Sequence, residues 1–219
     1  SGSSTKTRHL LDAGFRGYVA IDISSSALRD AAQKLSAAYP GLPIHGIATT
    51  YQEGLRQLAQ AQPVMVSFLG SSIGNLTPAE TDAFFEEVAA ALQPGSAFLL
   101  GIDVIKDPAR LEAAYDDAAG WTARFTQNLF TRMERELHLT LPEVKHVAYY
   151  SEPHERIEIY AEFLGEARLE VLGQRFRVAR GERIRTEISR KYRPADVAAN
   201  AARFGLRLEQ VFGDDDFAV

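Results

Sequence analysis

The stretch that decides the fold is Ser67-Phe68-Leu69-Gly70-Ser71-Ser72-Ile73-Gly74-Asn75, in which an apolar segment runs into a glycine- and serine-rich turn. The apolar run begins at residue 63, and its continuity is typical of a strand that is buried on both faces of a parallel sheet. In open α/β sheets, ligands bind in the crevice at the carboxyl ends of the strands. We therefore expect Ser72 and Asn75 to lie at a small-molecule site.

Strand and helix patterns alternate on both sides of this stretch. Upstream, residues 18–22 and 42–48 are predicted strands, and residues 52–60 form a predicted short helix. Downstream, Thr77-Pro78-Ala79-Glu80 is a capping box that opens an amphipathic helix, and residues 97–103 form a predicted fourth strand. This alternation predicts an α/β fold with parallel βαβ units.

The pattern changes after residue 104. Two predicted helices, 107–119 and 122–138, place Trp121 and Phe125 at helical spacing, so we expect both side chains in the core. Strand-like segments with short connections then favour an antiparallel sheet, and they cover residues 145–151, 156–164, 167–172, 175–178 and 183–189. A last strand, 206–212, is predicted to return to the parallel sheet. We therefore predict one domain from residues 1–104 and 193–219, with an inserted α+β subdomain at 105–192.

The composition narrows the class of function. The 219 residues are 46% hydrophobic and carry a net charge of −5, which favours a globular core and argues against a nucleic-acid groove. Cysteine is absent, which excludes disulfides and thiol catalysis, and the five histidines lack metal-ligand spacing, so we expect no metal. Neither a membrane-spanning run nor a signal-peptide pattern occurs. The sequence predicts a cytoplasmic, monomeric protein with a small-molecule ligand and no membrane partner.

The first residues, Ser1-Gly2-Ser3-Ser4, resemble a glycine turn that opens a helix and cradles a nucleotide-like ligand. A strand normally precedes such a turn, so we expect further residues before residue 1. Asp22 follows Gly2 by about 20 positions and ends a predicted strand, where a carboxylate can accept hydrogen bonds from both ribose hydroxyls. This spacing serves nicotinamide and S-adenosylmethionine (SAM) enzymes alike, and the lack of a GxGxxG pattern favours SAM. Alternatively, Asp22 caps the next helix.

Six ordered motifs carry a resemblance to a known family. The sequence is similar to the SAM-dependent histidine Nα-methyltransferases of ergothioneine biosynthesis, nearly from end to end. The motifs are residues 2–8, the Asp22 strand, 68–75, Gly101-Ile102-Asp103-Val104-Ile105-Lys106-Asp107-Pro108, Tyr115-Asp116-Asp117-Ala118-Ala119-Gly120 and Ile184-Arg185-Thr186-Glu187-Ile188-Ser189. The resemblance implies a Rossmann-like methyltransferase sheet with an inserted substrate-binding subdomain, and trimethylation of the α-amine of L-histidine to hercynine.

The resemblance also implies roles for individual residues. Those that would contact SAM are Gly2, Ser3 and Lys6 in the loop, Asp22 at the ribose, and Thr50 and Tyr51 at the adenine. Thr50 replaces an aspartate that is common in the family, so this position carries no charge. Those that would contact the substrate are Asn75 and Tyr115 at its amino and carboxylate groups, Ser72 beside them, and Glu187, Ser189 and Ile159 at its imidazole.

Strand geometry supports the imidazole pair, because residues i and i+2 of a strand face the same side. Each assignment has an alternative from the residues alone. Glu187 could pair with Arg183 or Arg185, Asn75 could bond its own turn, and Tyr115 could be a core residue. The alternatives for the whole chain are an Nα-methyltransferase for another amino acid such as tryptophan, a nicotinamide reductase, and a non-catalytic SAM-binding fragment.

Overall fold

The computed structural model describes residues 5–58, 63–171 and 173–219. Its helices are α1 Thr5–Asp12, α2 Ser25–Ala38, α3 Tyr51–Gln57, α4 Pro78–Ala91, α5 Pro108–Tyr115, α6 Trp121–Leu137 and α7 Pro194–Ala202. Its strands are β1 Tyr18–Asp22, β2 Ile44–Ala48, β3 Met65–Phe68, β4 Ala97–Leu100, β5 Ile102–Asp103, β6 Val144–Ser151, β7 Arg156–Phe163, β8 Ala167–Val171, β9 Gln174–Val178, β10 Arg183–Arg190 and β11 Phe217–Ala218. This mixture of helices and strands confirms the predicted α/β class.

The chain forms two compact units, which are described separately. The first consists of Ser1–Met65 and Phe84–Ala97, and the second of Val66–Ala83 and Phe98–Val219. The sequence pattern predicts domain boundaries at residues 105 and 192. They stay a prediction.

The first unit contains a βαβ arrangement. Strands β1 and β2 are parallel, with Asp22 opposite Ala48, and α2 connects them. The Ser24 hydroxyl accepts the amide N–H of Ala27 at 3.2 Å, so Ser24 caps α2 as its position before the helix predicts. Helix α3 comes close to β1 because Gly54 has no side chain: a Cβ there would lie 2.5 Å from Ile21 Cγ2.

The capping box at the start of α4 is confirmed. The amide of Thr77 donates to Glu80 Oε2 at 2.7 Å, and the amide of Glu80 donates to Thr77 Oγ1 at 3.3 Å. Two otherwise unsatisfied N–H groups are thereby paired, and the hydrogen bond from Thr77 lowers the pKa of Glu80. This cap fixes where the helix begins, directly after the turn that contains Asn75.

The second unit contains a three-stranded antiparallel sheet with the order β10-β7-β6, as predicted. On one face of β7, the buried Ile157 and Ile159 pack with Leu111 of α5. On the other face, burial opposes ionisation of Glu158, but hydrogen bonds from Tyr160, Arg156 and Tyr149 outweigh it and lower its pKa to about 2. At β7, the sheet therefore has an apolar face toward α5 and an ion-paired face opposite.

Two strand predictions are wrong. Residues 97–103 do not form one strand, because the ladder is interrupted at Gly101 between β4 and β5. Residues 206–212 form no strand, and β11 instead pairs antiparallel with β5. The apolar residues Leu208, Val211 and Phe212 are exposed, so the apolar residues of this segment do not mark a buried face of a sheet.

The helix predictions also need correction. Helix α5 ends at Tyr115 rather than near residue 119, and Asp117 accepts the amide N–H groups of Trp121 and Thr122 at the start of α6. Trp121 and Phe125 are 70% and 71% exposed, so the expectation of core packing is wrong. Residues 59 and 60 of the predicted short helix and residue 172 of a predicted strand lie outside the described residues.

Within residues 5–58, 63–171 and 173–219, no helix has both the length and the apolar character that crossing a bilayer requires.

Candidate functional site

The turn after β3 is held against β10. Ser71 adopts a left-handed conformation with φ of 57°, and its hydroxyl accepts the amide N–H of Asp103 at 3.0 Å. The turn continues as a single 3-10 turn, Ser72–Asn75. A Cβ at Gly74 would lie 2.9 Å from the Arg190 carbonyl oxygen, so only glycine allows this approach. The close approach brings the end of the turn beside the carboxyl half of β10.

Asn75 and Glu187 meet at this junction. Asn75 Nδ2 donates to Glu187 Oε1 at 3.1 Å, so Asn75 does not bond its own turn as the alternative proposed. The arginines suggested as partners of Glu187 are engaged elsewhere, since Arg183 pairs with Glu162 and Arg185 Nη1 lies 3.9 Å from Glu158. An open depression of about 300 Å³ is lined by Asn75, Thr77, Arg185, Thr186, Glu187 and Ile188. The Ser72 hydroxyl donates to the Leu69 carbonyl at 3.2 Å.

Tyr115 and Ser189 form the second contact. Their hydroxyl oxygens are 2.7 Å apart. Glu187 and Ser189 lie opposite Ile159 and Ile157 in the antiparallel register, so all four side chains share one face of the sheet. Tyr115 packs against the buried cluster of Leu111, Ile157 and Ile159. Tyr115 is thus both a packing residue and a hydroxyl at the site.

Lys191 is the residue that sequence reasoning missed. Its side chain is fully buried, and Nζ donates to Asp103 Oδ2 at 2.7 Å, to Ser189 Oγ at 2.9 Å and to Tyr115 Oη at 3.0 Å. A signal was available, because Lys191 continues the period of two that links Glu187 to Ser189. A buried ammonium needs partners, and here the partners are the two hydroxyls of the site.

Asp103 connects Lys191 to a second cation. Lys106 Nζ lies 2.8 Å from Asp103 Oδ1 and donates to the Asp216 carbonyl at 2.7 Å. Arg110 pairs with the Asp216 carboxylate at 2.7 Å. Positive and negative side chains therefore alternate beside the paired strands β5 and β11, from Arg110 through Asp216, Lys106 and Asp103 to Lys191.

The residues predicted to contact SAM belong to the first unit. Asp22, Thr50 and Tyr51 lie at the carboxyl end of the parallel pair β1 and β2, where a ligand of an α/β sheet binds. Asp22 Oδ1 accepts the amide of Ser24 at 2.8 Å, and Thr50 caps α3 by accepting the amide of Glu53 at 3.3 Å.

The Tyr51 ring packs edge-on against Phe84, with ring centroids 5.3 Å apart. Lys6 is exposed in the first turn of α1, and Gly2 and Ser3 lie outside the described residues. The carboxylate of Asp22 at a strand end fits a ribose diol, because it can keep its Ser24 bond and still accept from hydroxyls.

Comparison with known proteins decides the family. The model of the family described as "Histidine-specific methyltransferase, SAM-dependent" matches residues 1–219. The chain belongs to this family. It is therefore a SAM-dependent enzyme of the methyltransferase class, which confirms the predicted cofactor and the predicted Rossmann-like methyltransferase fold.

Named relatives agree with this membership. The histidine N-alpha-methyltransferase of Mycolicibacterium smegmatis is 41% identical over 216 residues, which cover 94% of this chain and 67% of the relative. That of Mycobacterium tuberculosis is 37% identical over 215 residues, with the same coverage. Ergothioneine biosynthesis protein 1 of Neurospora crassa is 31% identical over 115 residues, 51% of this chain and 13% of that protein. These names confirm the resemblance stated from the sequence.

Proposed function

We propose that this methyltransferase transfers methyl groups from SAM to the α-amine of L-histidine, three times in succession, to give hercynine. The observation that carries the proposal is the alignment of Glu187 and Ser189 on one strand face, with Tyr115 2.7 Å from Ser189 and Asn75 3.1 Å from Glu187. Of these four polar groups, Glu187 and Ser189 would meet one end of a small amino acid, and Asn75 and Tyr115 would meet the other.

The chemistry of the pair suits an imidazole. A carboxylate only accepts hydrogen bonds, whereas a hydroxyl can donate or accept, so Glu187 and Ser189 together can satisfy both ring nitrogens of histidine. An indole offers one donor and no acceptor, which argues against tryptophan. Asn75 and Tyr115 would hold the amino and carboxylate groups, with Ser72 beside them, and Ile159 would close the pocket below.

The protein mainly has to position the substrate amine relative to the methyl group of SAM. SAM, when bound, supplies a methyl group that the sulfonium already activates, so the chain needs no strong general base. Asn75 and Tyr115 would orient the amine, which gives up its proton to solvent or to a weak acceptor. Three transfers require the amine to turn between cycles, so the pocket should grip the imidazole and the carboxylate more firmly than the nitrogen.

For SAM itself we propose Asp22 at the ribose and Thr50 and Tyr51 at the adenine, with Gly2 and Ser3 in the loop and Lys6 at the start of α1. The position of Asp22 at the carboxyl end of β1 supports this assignment. Thr50 brings a hydroxyl but no charge to the adenine. A cytoplasmic location and a monomeric state stay predictions.

Mass spectrometry of the protein incubated with SAM and L-histidine tests the proposal, with L-tryptophan and other amino acids in parallel. We expect species with one, two and three added methyl groups on histidine alone. Methylation of a different amino acid would overturn the substrate assignment, and no product from any amino acid would support a non-catalytic fragment.

A further inference from the structure

We propose that Lys191 is a positioning residue that makes the pocket selective for a free α-carboxylate, and that it acts through the hydroxyl of Tyr115. This inference rests on the proposed function, since it assumes that Tyr115 meets the carboxylate of histidine. It adds a residue that contacts neither end of the substrate directly. The structural basis is the three hydrogen bonds that Lys191 Nζ donates to Asp103, Ser189 and Tyr115.

The direction of these hydrogen bonds is fixed by chemistry. An ammonium has three N–H donors and no acceptor, and the three contacts of Lys191 use all three donors. The oxygens of Ser189 and Tyr115 must therefore both accept from Lys191. Each hydroxyl still has one proton of its own to donate.

The bond between the two hydroxyls then leaves one proton for a ligand. The Tyr115 and Ser189 oxygens are 2.7 Å apart, so one of the two protons lies between them. When Ser189 donates to Tyr115, the phenol proton is free for an anion, and Ser189 meets the ring as an acceptor. Because Glu187 is also an acceptor, both ring nitrogens then carry a proton. The cation 3.0 Å from the phenol oxygen draws electron density from it and strengthens the phenol as a donor to a carboxylate.

Asp103 does not cancel the charge of Lys191. Its carboxylate is shared, with Oδ2 toward Lys191 and Oδ1 2.8 Å from Lys106. Because the Lys191 side chain is fully buried, solvent screens its charge little. From β6, His146 also approaches, but its ring bonds the Tyr115 carbonyl and Thr126 rather than the phenol. Among the contacts of the described residues, Lys191 is thus the charged group that bonds the Tyr115 hydroxyl.

The test compares two ligands that differ at one group, a carboxylate in L-histidine and a neutral amide in L-histidinamide. Dissociation constants for L-histidine and L-histidinamide are measured by calorimetry at one pH, with S-adenosylhomocysteine present. We expect the wild-type protein to bind the acid about tenfold or more tightly than the amide, the effect of one charge-assisted hydrogen bond. In Lys191→Met that ratio should fall toward one. The two ligands also differ in ionisation, but this difference is the same for every variant. It therefore cancels when the ratio of a variant is compared with that of the wild type.

A matched control separates selectivity from damage to the fold. Arg156→Met also removes a mostly buried cation, but one on the opposite face of the same sheet, paired with Glu158. We expect it to keep the wild-type ratio, so loss of the ratio in both variants would overturn the proposal. Retention of the ratio in Lys191→Met would overturn it as well.

Tyr115→Phe keeps the proposal testable if Lys191→Met does not fold. It deletes the hydroxyl and leaves Lys191 bonded to Ser189 and Asp103, so the ratio should fall as far as in Lys191→Met, and the double variant should lose no more. A wild-type ratio in Tyr115→Phe would refute the role of Lys191. Failure of the wild-type protein to bind either ligand would instead refute the proposed function.

Discussion

Asn75 in the turn after β3 donates from Nδ2 to Oε1 of Glu187 on β10 at 3.1 Å, across a separation of 112 positions in the chain. The bond joins the residue proposed for the amino-acid end of the substrate to the residue proposed for the imidazole. Glu187 has a second oxygen, so it can keep this bond and still accept from a ring N–H. The two ends of the pocket are therefore coupled.

Replacing Glu187 by alanine should weaken histidine binding more than it slows methyl transfer. The variant loses a charge-assisted acceptor, which corresponds to about a tenfold or larger rise in KM for histidine. The KM for SAM and the kcat should change less, because Glu187 is not assigned to the cofactor and reaches the amine only through Asn75. Steady-state kinetics with each substrate varied in turn measures the split.

Glu162→Ala is the matched control for this substitution, since Glu162 is a carboxylate of the same sheet that pairs with Arg183. It should leave both KM values near those of the wild type. An unchanged KM for histidine in Glu187→Ala would count against the imidazole assignment.

Gly74→Ala should disturb the site and destabilise the protein. The added Cβ would lie 2.9 Å from the carbonyl oxygen and 3.2 Å from the nitrogen of Arg190, both backbone atoms that can yield only if the turn moves away from β10. Overpacking of this kind costs about 1–3 kcal/mol. We expect a lower midpoint in urea and a loss of activity.

Gly17→Ala is the control for Gly74→Ala, because its Cβ would meet the Pro43 carbonyl oxygen at 3.6 Å, an ordinary contact. Equal stability losses in the two variants would show that the close approach at Gly74 does not cause the loss of stability in Gly74→Ala.

Thr77→Ala should remove the N-terminal cap of α4. The substitution deletes the hydroxyl that accepts the amide of Glu80, at a cost of about 1 kcal/mol in the free energy of unfolding. Thr131→Ala removes an exposed threonine whose hydroxyl bonds the Gln127 carbonyl within α6, and it should cost little. Urea denaturation compares the two, and equal effects would contradict the cap.

Stability should fall in acid in part through Asp117. The amides of Thr122 and Trp121 donate to its carboxylate and lower its pKa from 3.8 to about 2. A pKa that is lower in the folded state stabilises the protein above the unfolded value and loses that effect as the pH falls toward about 2. The melting temperature of the wild type should therefore exceed that of Asp117→Asn at pH 5, and the difference should shrink toward pH 2. A difference that stays constant would contradict this account.

The local elements could be predicted because their signals are local. The capping box at Thr77 and the strand patterns of β1 and β7 depend on neighbouring residues, and each element appears where the pattern places it. Pairing between strands depends on distant residues. Residues 206–212 therefore looked like a strand, whereas the partner of β5 is the two-residue β11.

In the site, too, the features that depend on neighbouring residues could be predicted, and those that depend on distant residues could not. The resemblance to known enzymes named Glu187 and Ser189, and strand periodicity placed them on one face. The bond from Asn75 to Glu187 and the contacts of Lys191 with Asp103 and Tyr115 come from tertiary approach. The period of two points to the face on which Lys191 lies, but it does not give these partners. Exposure of Trp121 was missed for a related reason, because helical spacing marks an apolar stripe without saying what covers it.

The central claim is that Glu187 and Ser189 bind the two ring nitrogens of histidine. The most direct test is the ¹⁵N NMR spectrum of ring-labelled L-histidine bound to the wild type, to Glu187→Ala and to Ser189→Ala, with S-adenosylhomocysteine present. We predict that binding shifts both ring nitrogens and that each variant returns a different nitrogen toward its free position. Ring signals that neither variant changes would contradict the claim.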